Sequence, residues 1–167
     1  MAATASDFKR AVDAFRKNTD LDEAEMADFE LTDLQTLRQA INTIQNKQAQ
    51  NKKLMYMKRL EPFLKSMEDY GKVLEVFLNV SKFISFVWGP MKYLLLVAST
   101  FSEALNSLLD AYQQIGEQIP QLLQYQQIFA TSPHMGTILA MIYQDILEFH
   151  REALKYFKQR STVIHLG

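Results

Sequence analysis

Cysteine is absent from this 167-residue chain, which excludes disulfides, thiolate metal sites and a cysteine nucleophile and suits a cytoplasmic setting. Glycine and proline are scarce as well, five and four residues respectively. Alternation of Val and Thr is rare, while Leu, Gln, Lys, Glu and Ala fill long stretches. That pattern predicts an all-α fold, a multi-helix bundle with long antiparallel helices. An excess of charge is also lacking: 18 basic residues against 19 acidic ones give a formal charge of −1. Such a chain has no long-range pull toward nucleic acid, and no Lys/Arg run is interleaved with aromatics as in a single-strand binder. The longest apolar stretch, Phe83 to Ala98, is broken by Gly89-Pro90 and Lys92 and falls short of the roughly 20 residues a membrane-spanning helix needs. The N-terminal residues Met1 to Arg10 contain no apolar segment of the secretory-signal kind.

What is present is one domain's worth of amphipathic helix, long enough to bury roughly two thirds of the surface of its unfolded chain. Ser6 as an N-cap with Phe8, Val12 and Phe15 behind it predicts a first helix from about Asp7 to Lys17. Residues 20 to 33 hold seven acids and no base and read as a linker or short helix on the solvent side. Thr32 with Gln35 resembles a capping box for a helix carrying Leu34, Leu37, Ile41 and Ile44, continuing through a basic stretch toward Leu60. Phe63, Met67, Tyr70 and Leu74 predict a helix from Pro62 to Asn79, extending as far as Phe86. Gly89-Pro90 then predicts a boundary, because proline suits the first turn of a helix and not its interior. The next helix is expected to run from there through Ile115, with a kink near Ser99-Thr100, and to end at Gly116 and Pro120. A short piece from Gln121 to Ala130, a turn at Thr131-Ser132-Pro133 and a last helix to Gln159 complete the reading. By domain, residues 1–57 form an N-terminal helical segment, 58–160 the helical core and 161–167 a tail or linker.

Few residues carry chemistry. His134, His150 and His165 lie too far apart for ligands from adjacent turns, no catalytic elbow or phosphate loop occurs, and no cofactor is expected. The reading is non-enzymatic. Four residues stand out as a candidate interaction or hinge site: Trp88, Gly89, Pro90 and Lys92. Trp88 reads first as a core aromatic and second as a partner or membrane contact. Gly89 reads as a close approach or sharp turn, and Lys92 as a snorkelling chain or the partner of Asp145 or Glu148. Lys47, Lys52, Lys53, Lys58 and Arg59 are candidate lipid-facing bases. The plainer reading of this stretch is a solvated face that pairs with the acids at 20 to 33.

Val87-Trp88-Gly89 with Lys92 and Leu94 to Ala98, then Leu109 with Ile115-Gly116 and Ile119-Pro120, then Ile142 to His150, together carry a likeness. In this order they resemble the N-terminal helical domain of fungal STAND proteins, the NACHT-containing NOD-like receptors, over about Lys58 to Arg160. The resemblance implies a helical effector or signalling module acting after oligomerisation in cell death, heterokaryon incompatibility or innate-immune-like signalling. Self-association or a protein partner is then expected, with an anionic membrane as a further target on activation. No GxxxxGK[ST] loop occurs in the chain, so nucleotide would enter only through a separate downstream domain. The alternative is a protein-interaction or self-association adaptor without membrane activity.

Overall fold

A computed structural model describes residues 5–50, 57–78, 82–128 and 133–166, and among them it contains seven α-helices, two 3-10 turns and no strand. The protein is an all-α helical bundle. In chain order the helices are α1 (Ala5–Asn18), α2 (Glu23–Leu31), α3 (Leu34–Gln50), α4 (Glu61–Leu78), α5 (Ser85–Ala98), α6 (Ser102–Ile128) and α7 (Pro133–Leu166). The 3-10 turns, Met57–Leu60 and Lys82–Ile84, precede α4 and α5.

Burial follows the apolar spacing. Phe8, Val12 and Phe15 of α1 are buried against the side of the molecule formed by α7, and Leu37, Ile41 and Ile44 of α3 face α5. The acidic segment forms a helix because Asp22 caps it reciprocally: the Glu25 N–H donates to Asp22 Oδ1 at 2.7 Å, and the Asp22 N–H donates to Glu25 Oε1 at 3.2 Å. Thr32 ends it, its hydroxyl donating to the Asp28 carbonyl at 2.8 Å and its N–H to the Phe29 carbonyl at 3.2 Å. For α3 the cap is Asp33 rather than Thr32. Asp33 Oδ1 accepts from the Thr36 N–H at 2.8 Å, and that same bond holds the Asp33 carboxyl below the usual carboxylate range.

Several expected boundaries move. Helix α5 starts at Ser85 and carries Pro90 in its interior, so no helix begins at Gly89-Pro90. An interior proline costs about 3 kcal/mol. Starting the helix one turn earlier buries Phe86, Val87 and Trp88 at about 1.5–3 kcal/mol each, and burial wins. The second shift concerns the expected kink at Ser99-Thr100, which is a full break. The Ser99 and Thr100 hydroxyls donate to the Leu96 and Val97 carbonyls at 2.7 and 2.8 Å, closing α5 before α6 starts at Ser102. Helix α6 then runs through Gly116 and Pro120 to Ile128 instead of ending there. At the C-terminal end, no Gly or Pro follows Gln159 until Gly167, and α7 continues to Leu166 through most of the expected tail. Helix α3 is described as far as Gln50; its expected continuation through the basic stretch with Lys52 and Lys53 lies outside the described residues up to the 3-10 turn at Met57, as does the expected turn at Thr131-Ser132.

Helix α5 is the hub. It touches α2, α3, α6 and α7, and nine of its residues, Phe86 to Met91 with Leu94, Leu95 and Ala98, are buried. The N-terminal helices pack onto the rest: α1 on α7, and α2 and α3 on α5.

Candidate functional site: an acidic arm over the central helix

Helix α2 approaches α5 closely at one point. A Cβ on Gly89 would lie 2.5 Å from Phe29 Cα and 2.8 Å from its carbonyl oxygen, nearer than atoms can approach, so only glycine admits α2 at this separation. Phe29, wholly buried, also sets its ring edge-on to Tyr93 with centroids 6.1 Å apart. The glycine at 89 therefore serves close helix packing. Trp88 beside it is 4% exposed, and Pro90 is buried, so both belong to the core in this conformation.

Charge completes the contact. Lys92 Nζ lies 3.3 Å from Asp28 Oδ2 on α2, so its partner is neither Asp145 nor Glu148. Lys158 of α7 sits 3.9 Å from Glu25 and also donates to the Asp20 carbonyl. Partial burial, followed by the Glu25 carboxylate to which it is hydrogen-bonded, pushes the Tyr93 hydroxyl above its ordinary pKa. Arg16 of α1 pairs with Glu30 and stands 5.1 Å over the Phe86 ring. Three of the seven acids at 20 to 33, Glu25, Asp28 and Glu30, thus pair with Lys158 of α7, Lys92 of α5 and Arg16 of α1. Sequence reasoning missed this use of the acidic segment. The available signal was Met26 and Phe29, an apolar pair at helical spacing inside an otherwise acidic run.

The candidate basic residues separate. Lys47 and Lys58 are exposed. Arg59 is spread over α6, its Nε 2.9 Å from Gln113 Oε1, its Nη1 2.8 Å from Asn106 Oδ1 and its Nη2 3.0 Å from Asp110 Oδ1. All three of its nitrogens bond side chains of this chain, which makes it a brace between the first 3-10 turn and α6.

Polar groups that reach the interior bond locally instead of converging on a cavity. The Tyr70 hydroxyl donates to the Leu139 carbonyl, the Tyr143 hydroxyl to the Phe83 carbonyl at 2.9 Å, and Ser66 Oγ to the Gly116 carbonyl at 2.9 Å. Tyr112 Oη lies 2.8 Å from Nε2 of the wholly buried His150, while His150 Nδ1 has no partner among the described residues. Burial lowers the His150 pKa to about 3, so the ring is neutral and far from the range of a general base working near pH 7. An open groove of about 960 Å³ runs between α1 and α7, lined by Arg10, Ala11 and Ala14 on one side and Ala140, Met141 and Arg151 on the other. Among the described residues no His, Asp and Glu group could hold a metal ion, and no helix is long and apolar enough to cross a membrane.

The bundle from the first 3-10 turn to the end of α7 is also a unit of sequence. Residues 58–166 match the family model described as a domain of unknown function, DUF7708. The chain belongs to the DUF7708 family. Nothing among curated proteins or solved structures matches it. Helices α4 to α7 lie within the matched residues, and the arm formed by α1 and α2, with α3 after it, lies ahead of the DUF7708 match while covering its α5 and α7.

Proposed function

We propose that this chain is a non-enzymatic helical signalling module, the effector end of a fungal STAND receptor, which acts when oligomerisation of the receptor brings copies together. Cell death, heterokaryon incompatibility or innate-immune-like signalling is the output. The observation that carries this reading is the acidic arm held by ion pairs over an apolar central helix, an arrangement suited to changing partners rather than to turning over a substrate. The receptor assignment rests on the likeness of residues 58 to 160 to STAND N-terminal domains. Clustering turns contacts that are weak in one copy into strong avidity, so no tight binding by a single chain is needed. Exposed Lys47 and Lys58, multiplied by clustering, would add about 1 kcal/mol each at an anionic membrane.

A self-association or partner-binding adaptor that leaves lipid untouched is the second reading. Burial of Trp88 and Pro90 favours it, since the most apolar segment is already covered by protein.

The test is inducible clustering in fungal cells of the chain fused to a chemically dimerised oligomer. Loss of viability on clustering, and only then, is expected; undisturbed growth of the clustered strain sinks the signalling reading. Leakage of anionic vesicles by the clustered protein separates the membrane route from the adaptor.

A further inference from the structure

Residues 5–31, comprising α1 and α2, form an arm with its own internal tie, the Arg16–Glu30 pair between its two helices. Only Thr32 and Asp33 join this arm to α3, and Thr32 is extended with φ −79° and ψ 127°. The arm carries eight acids and four bases, a formal charge of −4, against eleven acids and fourteen bases, +3, in the remainder of the chain. It docks through Phe8, Val12 and Phe15 at α7, through Phe29 in the Gly89 notch, and through Asp28 and Glu25 on Lys92 and Lys158. Its binding face lies on elements of the DUF7708 domain, whereas the arm itself precedes that domain.

We propose that the arm is exchangeable: in a cluster of chains, α1 and α2 of one copy dock on α5 and α7 of a second copy, giving an arm-swapped dimer. This inference rests on the association reading above and names the partner as a second copy of this chain. Swapping preserves every arm contact, because the second copy offers the same notch and the same two lysines, and the only part that must change course is the two-residue link. Charge selects the occupant, since a partner segment must bring carboxylates to Lys92 and Lys158 and an aromatic ring to Gly89, and the arm of another copy brings all of them. In the isolated chain the tether holds the arm at an effective concentration on the order of mM, so exchange awaits a comparable local concentration of copies. Oligomerisation of a receptor supplies that.

Complementary charge reversal tests it. One chain carries Glu25→Lys and Asp28→Lys, the other Lys92→Glu and Lys158→Glu; each opposes its own arm, but a swapped heterodimer restores both faces. Light scattering on an equimolar mixture should show a heterodimer enriched about tenfold or more over dimer in either variant alone. A mixture that stays monomeric overturns the proposal. The chain with all four substitutions, matched again within one copy, should be a monomer that melts like the wild type, and its doing so keeps the comparison valid. Should either reversed chain be unfolded by circular dichroism, engineered thiols replace charge, since the chain has no cysteine of its own. Asp28→Cys and Lys92→Cys chains co-clustered on one fused oligomer should then link through a short bis-maleimide, and absence of the interchain link overturns arm exchange. Clustered chains that still kill cells without forming heterodimer or link refute the exchange alone and leave the signalling reading standing.

Discussion

Ser66 Oγ on α4 donates to the carbonyl of Gly116 on α6 at 2.9 Å, and that carbonyl is the one whose helical donor Pro120 lacks. A proline in a helix interior strands the carbonyl four residues back, and here a serine from the neighbouring helix supplies the missing hydrogen. Gly116 is also a point where α6 and α4 cross closely, since a Cβ there would overlap the backbone of Pro62 and Phe63. One residue thus joins a close crossing to a repaired helix.

Ser66→Ala should therefore destabilise the protein by about 1–3 kcal/mol, the penalty for a buried acceptor left unsatisfied. In a Pro120→Ala background residue 120 recovers its N–H, so the same substitution should cost about 1 kcal/mol less. Denaturant melts of the four chains of this cycle give the coupling. A coupling of zero would mean that the serine and proline are unrelated.

Gly71, Gly89 and Gly116, all within helices, should behave in opposite ways. Gly89→Ala and Gly116→Ala drive a methyl into backbone and should each cost about 1–3 kcal/mol or more. At Gly71 the nearest atoms are the flexible Ile84 side chain at 3.6 and 3.7 Å, so Gly71→Ala should stabilise α4 by about 0.5–1 kcal/mol through helix propensity. Thermal melts rank the three.

His150 should make the fold acid-sensitive. Burial lowers its pKa from 6.5 to about 3, so between these values the unfolded chain binds a proton that the folded chain refuses. Stability then rises with pH across this window and falls on acidification, by up to about 1.4 kcal/mol per unit. Comparing pH 7 with pH 5, His150→Gln should lose about 2 kcal/mol less than the wild type. At the other end, burial raises the hydroxyl pKa values of Tyr70, Tyr112 and Tyr143, so stability should fall again above the ordinary tyrosine value of 10.0.

Arg59 and Lys58, neighbours in the basic stretch, should separate by mutation. Arg59→Ala removes three hydrogen bonds to α6 and should lower stability by about 1–3 kcal/mol, whereas Lys58→Ala on an exposed site should stay within about 0.5 kcal/mol. If vesicle binding occurs, Lys58→Ala should weaken it without touching the melting curve. Equal effects of both on stability would remove the brace role of Arg59.

Much of this was legible in the residues. Phe8, Val12 and Phe15 mark a buried face by spacing alone, and the core role of Trp88 follows from its apolar surroundings. Proline positions were not legible, because Pro90 and Pro120 read as boundaries unless one knows what surrounds them. Compensation comes from burial of Phe86 to Trp88 in one case and from Ser66 in the other, and neither neighbour is local. The acidic segment was opaque for the same reason. Asp28 and Glu25 look solvated in sequence, since Lys92 and Lys158 reach them only after the chain has folded back.

An arm that apolar contacts and ion pairs hold together should open as a unit, and hydrogen exchange on the wild-type chain measures this most directly. Because the pairs of Lys92 and Lys158 lie at a part-exposed surface, raising salt from about 0.05 to 0.5 M should speed exchange in α1 and α2 by several-fold while α4 and α6 stay unchanged. Amides of α1 and α2 that exchange only at the rate of α4 and α6, with no response to salt, would contradict it.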